Sequence, residues 1–235
     1  MACGRLALGD IWAGEAEDRC ELRGGGRRPS SSDTIGDIQR AAREEFAAHG
    51  FDCATVDGIA RKAKVSKQLL YYYFGSKAEL YALILEEAAV ETSFFEENID
   101  IGGLSPKYAL KAYIDNVFSD HIRRPQIVRM TMDEAQHGFA HVAKRGSLPG
   151  VLQDGIKVLE KILLRGRDAG IFRDDIDPDV LFWTIYGMVT TWFSHNPMIS
   201  LVSGAKLDGD SGFDVWREYS ARFVLNAIST TTAEA

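Results

Sequence analysis

Between Thr55 and Glu79 the chain reads TVDGIARKAKVSKQLLYYYFGSKAE, and the spacing of its capping residues leaves few ways to fold. Thr55, Ser66 and Ser76 each stand where a helix N-cap belongs, with a side-chain oxygen suited to the free N–H groups of a first turn. Two short helices follow, one after Thr55 and one after Ser66, with only Lys64 and Val65 to turn in and Gly75 to stop the second. Ser76 and Glu79 form a capping box that opens a longer helix through about Glu97. Val56, Ile59, Ala60 and Ala63 make the inner face of the first short helix, and Leu70 and Phe74 that of the second. Upstream, Ile35, Ile38, Ala42 and Phe46 recur at three- and four-residue steps, which predicts a helix capped by Asp33 or Thr34 and stopped at Gly50.

Two short helices across a tight turn, braced by a third, make a helix-turn-helix whose second member is the candidate reader of a DNA major groove. With Leu70 and Phe74 inward, Lys67, Gln68, Tyr71 and Tyr72 share its outer face. Ser66 and Lys67 sit at its start, where free N–H groups and the helix dipole favour a phosphate. Charge points the same way once its distribution is considered. The 235-residue chain carries 27 basic and 34 acidic residues, a net −7, which by itself argues against a nucleic-acid binder. Yet from Gly58 to Ala78 the charged residues are Arg61, Lys62, Lys64, Lys67 and Lys77, whereas from Glu86 to Pro106 they are all acidic. A basic module fused to an acidic body is the asymmetry expected of a DNA-binding protein.

The stretch AAREEFAAHGFDCATVDGIARKAKVSKQLLYYYFGSKAELYALIL resembles, in register over roughly fifty residues from Ile35 to Leu85, the tetracycline-repressor (TetR) family of bacterial transcription regulators. The resemblance implies a homodimer that binds a palindromic operator and releases it when a small effector occupies the C-terminal domain. It also implies DNA contact by Thr55, Ser66, Tyr71 with Tyr73, and Lys77. Two departures stand out. Lys64 occupies a turn position where the family often has glycine, and a left-handed backbone there costs a non-glycine residue about 1 kcal/mol, so a slightly reshaped turn is expected. Gln68 and Leu69 replace a frequent Gly-Thr pair; Gln68 can pair with adenine and Leu69 can cover a thymine methyl, so with Tyr72 they are expected to set operator preference.

The rest of the chain predicts an all-α protein in three parts: a disordered arm over 1–32, in which Arg27 and Arg28 could reach phosphates, the helix-turn-helix domain over 33–85, and a helical ligand-binding and dimerisation domain over 86–235. Turns are expected at 101–106, 123–125, 145–150, 168–178 and 204–212. The helix over 150–170 has Leu152, Ile156, Leu159 and Leu163 as one core stripe. The helix over 177–195 is apolar on nearly every face, and the last helix is broadly apolar, so a two-fold interface using Trp192, Phe193, Trp216, Tyr219 and Phe223 is expected. An effector pocket is expected between helices, walled by Phe118, Met130, Trp183 and Tyr186, with Glu134 and His137 as polar contacts. The stretches RPQIVRMTMDEAQHG and NPMISLVSG bear a fainter resemblance to the RutR-like branch of the family.

Competing readings are a helical metal-binding enzyme using Glu134, His137 and His141, or an adaptor that keeps the fold without specific DNA binding. A di-metal site needs a second such motif and two further acids, which the sequence lacks. It also has no Gly-x-Ser-x-Gly elbow and no phosphate-gripping glycine loop, so neither catalysis nor a cofactor is expected. Cys3, Cys20 and Cys53 have no metal-ligand spacing, and no disulfide framework is expected. No apolar run reaches the roughly 20 residues of a membrane span, and the acidic N-terminal stretch does not resemble a secretory signal, so a cytoplasmic location is expected.

Overall fold

A computed structural model describes residues 31–92, 102–146 and 148–230. They form a helical protein: α1 Ser31–Cys53, α2 Val56–Lys62, α3 Lys67–Phe74, α4 Lys77–Thr92, α5 Pro106–Arg123, α6 Pro125–Gln136, α7 Ala140–Ala143, α8 Leu148–Asp168, α9 Pro178–Ser203, a 3₁₀ turn Gly204–Leu207 and α10 Gly209–Ile228. The one β-pairing among the described residues is an isolated bridge between Phe172 and Ser229. None of the described helices is long and apolar enough to cross a membrane.

The side chains sort into two cores. Ile38, Phe46, Ile59, Leu70 and Leu80 centre the first, which α6 and α7 complete from outside the helix-turn-helix through Met130 and Val142. The second joins α5, α8, α9 and α10 around Leu110, Phe118, Leu159, Ile185 and Val224. Phe118 and Met130, expected to wall a pocket, are therefore fully buried in different cores.

Most breaks fall where punctuation places them. Pro106, Pro125 and Pro178 open α5, α6 and α9, since a first-turn residue needs no N–H partner. Asp177 caps α9 by accepting from the Val180 N–H at 3.0 Å. Other boundaries differ from expectation. The chain is already helical at Ser31, so Asp33 and Thr34 lie inside α1. Helix α8 begins at Leu148, within the expected turn. Helix α9 runs through Pro197 to Ser203, beyond the expected limit at 195, with Asn196 buried beneath it. The expected end of α4 near Glu97, together with Arg27 and Arg28 of the arm, lies outside the described residues. Although no disulfide framework is expected, Cys53 is disulfide-bonded; Cys3 and Cys20 lie outside the described residues.

Candidate DNA interface and ligand cavity

Helix α2 ends in a Schellman turn. The Val65 N–H bonds the Ala60 carbonyl at 2.9 Å and the Lys64 N–H bonds the Arg61 carbonyl at 3.2 Å. Lys64 is the left-handed residue this motif requires, with φ of 55°, so the turn keeps its shape instead of reshaping around a non-glycine residue. Ser66 Oγ then accepts from the Leu69 N–H at 3.1 Å, and Thr55 Oγ1 accepts from the Gly58 N–H at 3.0 Å. Each hydroxyl keeps its proton free to donate, so both caps can also bond a phosphate oxygen. Ser76 Oγ accepts from the Glu79 N–H at 3.1 Å, which is the N-cap half of the expected box.

Leu70 and Phe74 of α3 enter the first core. Gln68 and Tyr71 are exposed, Tyr72 is 80% exposed, and Leu69 and Tyr73 are half-buried at the edge of the same face. The Tyr72 and Tyr73 rings meet edge to face at 5.3 Å. A tyrosine this bare, framed by two capped helices, presents most of its ring and its hydroxyl outward, with Tyr73 alongside.

The cations divide. Lys67 pairs with exposed Asp57 at 2.5 Å, an interaction of about 0–1 kcal/mol that a phosphate can displace. Lys62, in the sequence only part of a basic field, pairs at 3.0 Å with Glu45, a carboxylate only 6% exposed. Lys77 departs further from expectation. Its ammonium donates to the carbonyls of Phe51 at 2.8 Å and Ala54 at 3.1 Å and lies 4.4 Å from the centre of the Phe51 ring. It closes the end of α1, and a phosphate contact would require it to leave those carbonyls. Arg61 and Lys64 make no ion pair among the described residues.

Glu45 fixes the angle of α2. Desolvation raises its pKa, but the Lys62 hydrogen bond, the Thr55 N–H and nearby charge outweigh it, so the carboxyl sits below its ordinary value and stays ionised. A Cβ on Gly58 would lie 2.3 Å from Glu45 Oε1. Glycine in mid-helix costs about 1 kcal/mol relative to alanine, and this close approach is why it is there.

A junction that sequence reasoning missed ties this unit to α6. At Gly50 the backbone turns through φ of 68°, and the next N–H, that of Phe51, donates to Asp133 Oδ2 at 2.8 Å. The Tyr81 hydroxyl of α4 donates towards the same oxygen at 2.9 Å and the Met130 carbonyl at 2.8 Å. These partners lie 49 to 82 residues apart, so no local pattern announces them.

The opposite side of α6 faces a cavity of about 180 Å³. Of the expected lining, Glu134, Trp183 and Tyr186 are present; Phe118, Met130 and His137 are not. Lining residues that the sequence did not single out include Tyr113 and His121 of α5, Arg124 at the α5–α6 junction and Phe182 of α9. The Phe182 and Tyr186 rings lie nearly parallel, 13° apart at 6.3 Å, with Trp183 edge-on to Tyr186 at 5.7 Å.

Glu134 is fully buried. Its Oε1 accepts from the N–H groups of His141 at 2.8 Å and Val142 at 3.1 Å, and its Oε2 lies 2.7 Å from His141 Nδ1. It therefore caps α7 and orients His141, while His137 turns towards the Asp133 carbonyl and Asp52. Glu134, His137 and His141 do not converge on one point, and no group of metal-ligand side chains occurs among the described residues.

The expected interface also divides. Trp192 is 5% exposed, and Phe193 and Trp216 pack partly buried against the second core. Trp192 meets Phe213 at 5.8 Å and Trp216 at 6.0 Å, and the Trp216 indole N–H donates to the Met188 carbonyl at 3.0 Å. Trp192 belongs to the protomer's interior, while Phe193 and Trp216 keep part of their surface outward. Tyr219 and Phe223 are at least half exposed and stack at 6.4 Å, and on α9 Met198, Leu201 and Val202 are exposed as well.

Residues 38–84 match the family model described as bacterial regulatory proteins, tetR family, and residues 106–224 match the tetracyclin repressor-like C-terminal domain. Curated relatives include the HTH-type transcriptional repressor SCO4008 of Streptomyces coelicolor, 30% identical over 77% of this chain and 88% of that protein. NicS of Pseudomonas putida, an HTH-type transcriptional repressor, is 29% identical over 65% of this chain and 72% of its own length. RutR of Escherichia coli, an HTH-type transcriptional regulator, is 26% identical over 81% and 88%. Among solved structures, the regulator FadR of Bacillus subtilis in complex with stearoyl-CoA superposes with a TM-score of 0.64, at 21% identity over 83% of this chain and 99% of that one, and so shares the fold. With both halves of the fold matched in order along one chain, this protein belongs to the TetR family of bacterial regulatory proteins.

Proposed function

We propose that the chain is a repressor that binds a palindromic operator as a homodimer and lets go when a small effector fills the cavity. The observation that carries the DNA-binding part is the exposed face of α3, where Tyr72 is 80% exposed beside Gln68 and Tyr71. In this reading residues 33–85 bind DNA and 86–235 bind effector and partner. Gln68, Leu69 and Tyr72 read bases, while Thr55, Ser66, Lys67 and Tyr73 contact the backbone. The repressors NicS and SCO4008 among its relatives support the direction of control. The bare faces of α9 and α10, with Tyr219 and Phe223, are the surface a second copy would cover. Pairing holds two recognition helices about 34–36 Å apart, one turn of the duplex, so a ligand that changes the spacing weakens binding. The protein acts on DNA in the cytoplasm, without catalysis or cofactor.

Selection from randomised duplexes tests this. The chain should enrich a palindrome whose affinity falls steeply with salt. Tyr72→Ala should weaken it by about 1–2 kcal/mol while leaving folding within about 0.5 kcal/mol. Gln68→Ala should relax base preference at one position of each half-site. Enrichment of no sequence, or a flat salt dependence, would sink the proposal.

A further inference from the structure

The cavity has a chemistry narrow enough to name what it accepts, a step that rests on the reading of the protein as an effector-controlled regulator. Its walls are mainly rings and aliphatic side chains, with Tyr113, Phe139, Phe182 and Tyr186 among them. At about 180 Å³ it is little larger than the ~150 Å³ apolar cavity known to hold benzene. One or two rings fit that volume.

The charged groups on its wall are already matched. Arg124 pairs with Asp120 and donates to the Ala88 carbonyl at 2.6 Å. Glu134 is engaged by two backbone N–H groups and His141. An anion would meet two carboxylates and no unneutralised cation, and a cation would find no free carboxylate. Both would lose hydration without a partner.

His121 supplies the specific contact. It lies on the cavity wall, 9% exposed, with its ring 5.7 Å from that of Tyr186 and 5.4 Å from that of Phe193. Nδ1 is 2.9 Å from the Val117 carbonyl. A carbonyl can only accept, so Nδ1 carries the proton. Burial pushes the imidazole pKa down, so the ring is neutral. Nε2 is then a bare acceptor, and among the described residues no protein donor bonds it. A ligand donor in the cavity would give Nε2 the partner that the wall does not supply.

We propose that the cavity takes a neutral molecule of one or two flat rings that presents an O–H or N–H donor to Nε2 of His121. Thermal unfolding and tryptophan fluorescence of the full chain, titrated with phenol, indole, toluene, benzoate and benzylamine, test it. Phenol and indole should raise the unfolding temperature with concentration, as ligands of the folded state do. Phenol should bind more tightly than toluene, which has the same shape and no donor, and benzoate and benzylamine should give no shift at matched concentration. In the His121→Phe variant the phenol-to-toluene ratio should fall about tenfold, the worth of one hydrogen bond.

Four results would overturn the proposal: toluene binding as well as phenol, the charged probes binding better, the ratio unchanged in the variant, or no shift with any probe. If the variant does not fold, the phenol–toluene comparison in the natural chain decides. Operator selection, run separately, tells apart a failure of this inference from a failure of the regulatory reading.

Discussion

Helices α3 and α9 both carry aromatic side chains to the surface, yet α3 has the orientation its sequence predicts and α9 does not. In α3 the polar residues Lys67 and Gln68 and the capping pair Ser66 and Gly75 leave one apolar side, Leu70 and Phe74, and that side is buried. In α9 nearly every side is apolar. Trp192 is expected at an interface but is buried within the protomer, while Met198, Leu201 and Val202 are left bare. Amphipathic spacing names a buried face, whereas uniform hydrophobicity reports only that burial is extensive. Which of α9's faces meets which neighbour is settled by α5, α8 and α10.

The strongest way to break this comparison is at Trp192. As an interior residue packed on Phe213 and Trp216, its replacement in Trp192→Ala should cost about 3–5 kcal/mol in denaturant unfolding. The loss should persist across protein concentrations. A variant that unfolds like the natural chain and only dissociates would return Trp192 to the interface.

A smaller effect is expected in the helix-turn-helix. Gly58→Ala places a methyl group against Glu45 and should destabilise by about 1–3 kcal/mol, although alanine is the better helix former. Unfolding equal to or better than the natural chain would show that Glu45 yields easily and does not set the angle of α2. The smallest change is at the turn. Lys64→Gly relieves a left-handed backbone worth about 1–2 kcal/mol and adds unfolded-state entropy of about 0.5–1 kcal/mol, so a net gain of about 0.5–1 kcal/mol is expected. Calorimetry should register a small rise in unfolding temperature; a fall would mean that Lys64 makes a contact that outweighs the strain.

The same division governs the candidate sites. The caps Thr55 and Ser66 and the exposed face of Gln68, Tyr71 and Tyr72 are legible in the sequence because cap, turn and face follow from residues within one helical turn of each other. The Lys77 contacts with the carbonyls at the end of α1 are not legible, since those groups lie more than twenty residues back along the chain. The cavity was half legible. Glu134, Trp183 and Tyr186 are on its wall, but a residue type consistent with a pocket is equally consistent with a core, and Phe118 and Met130 went to cores. His121 gave no signal in sequence. Its significance depends on Nδ1 being bound to Val117 while the rest of the ring lies among side chains of α9.

What the sequence determined by itself is the all-helical class, the helix-turn-helix with its capped recognition helix, and most element boundaries, because caps, prolines and amphipathic spacing act over one turn. Only the tertiary structure decided that α6 has two working sides, with Met130 in the first core and Asp133 bound to the Phe51 N–H on one and the cavity on the other. It also decided which side of α9 is bare, and that a neutral histidine acceptor stands on the cavity wall. Those outcomes depend on groups tens of residues apart meeting in space, and close packing, not local conformational preference, selects among such meetings.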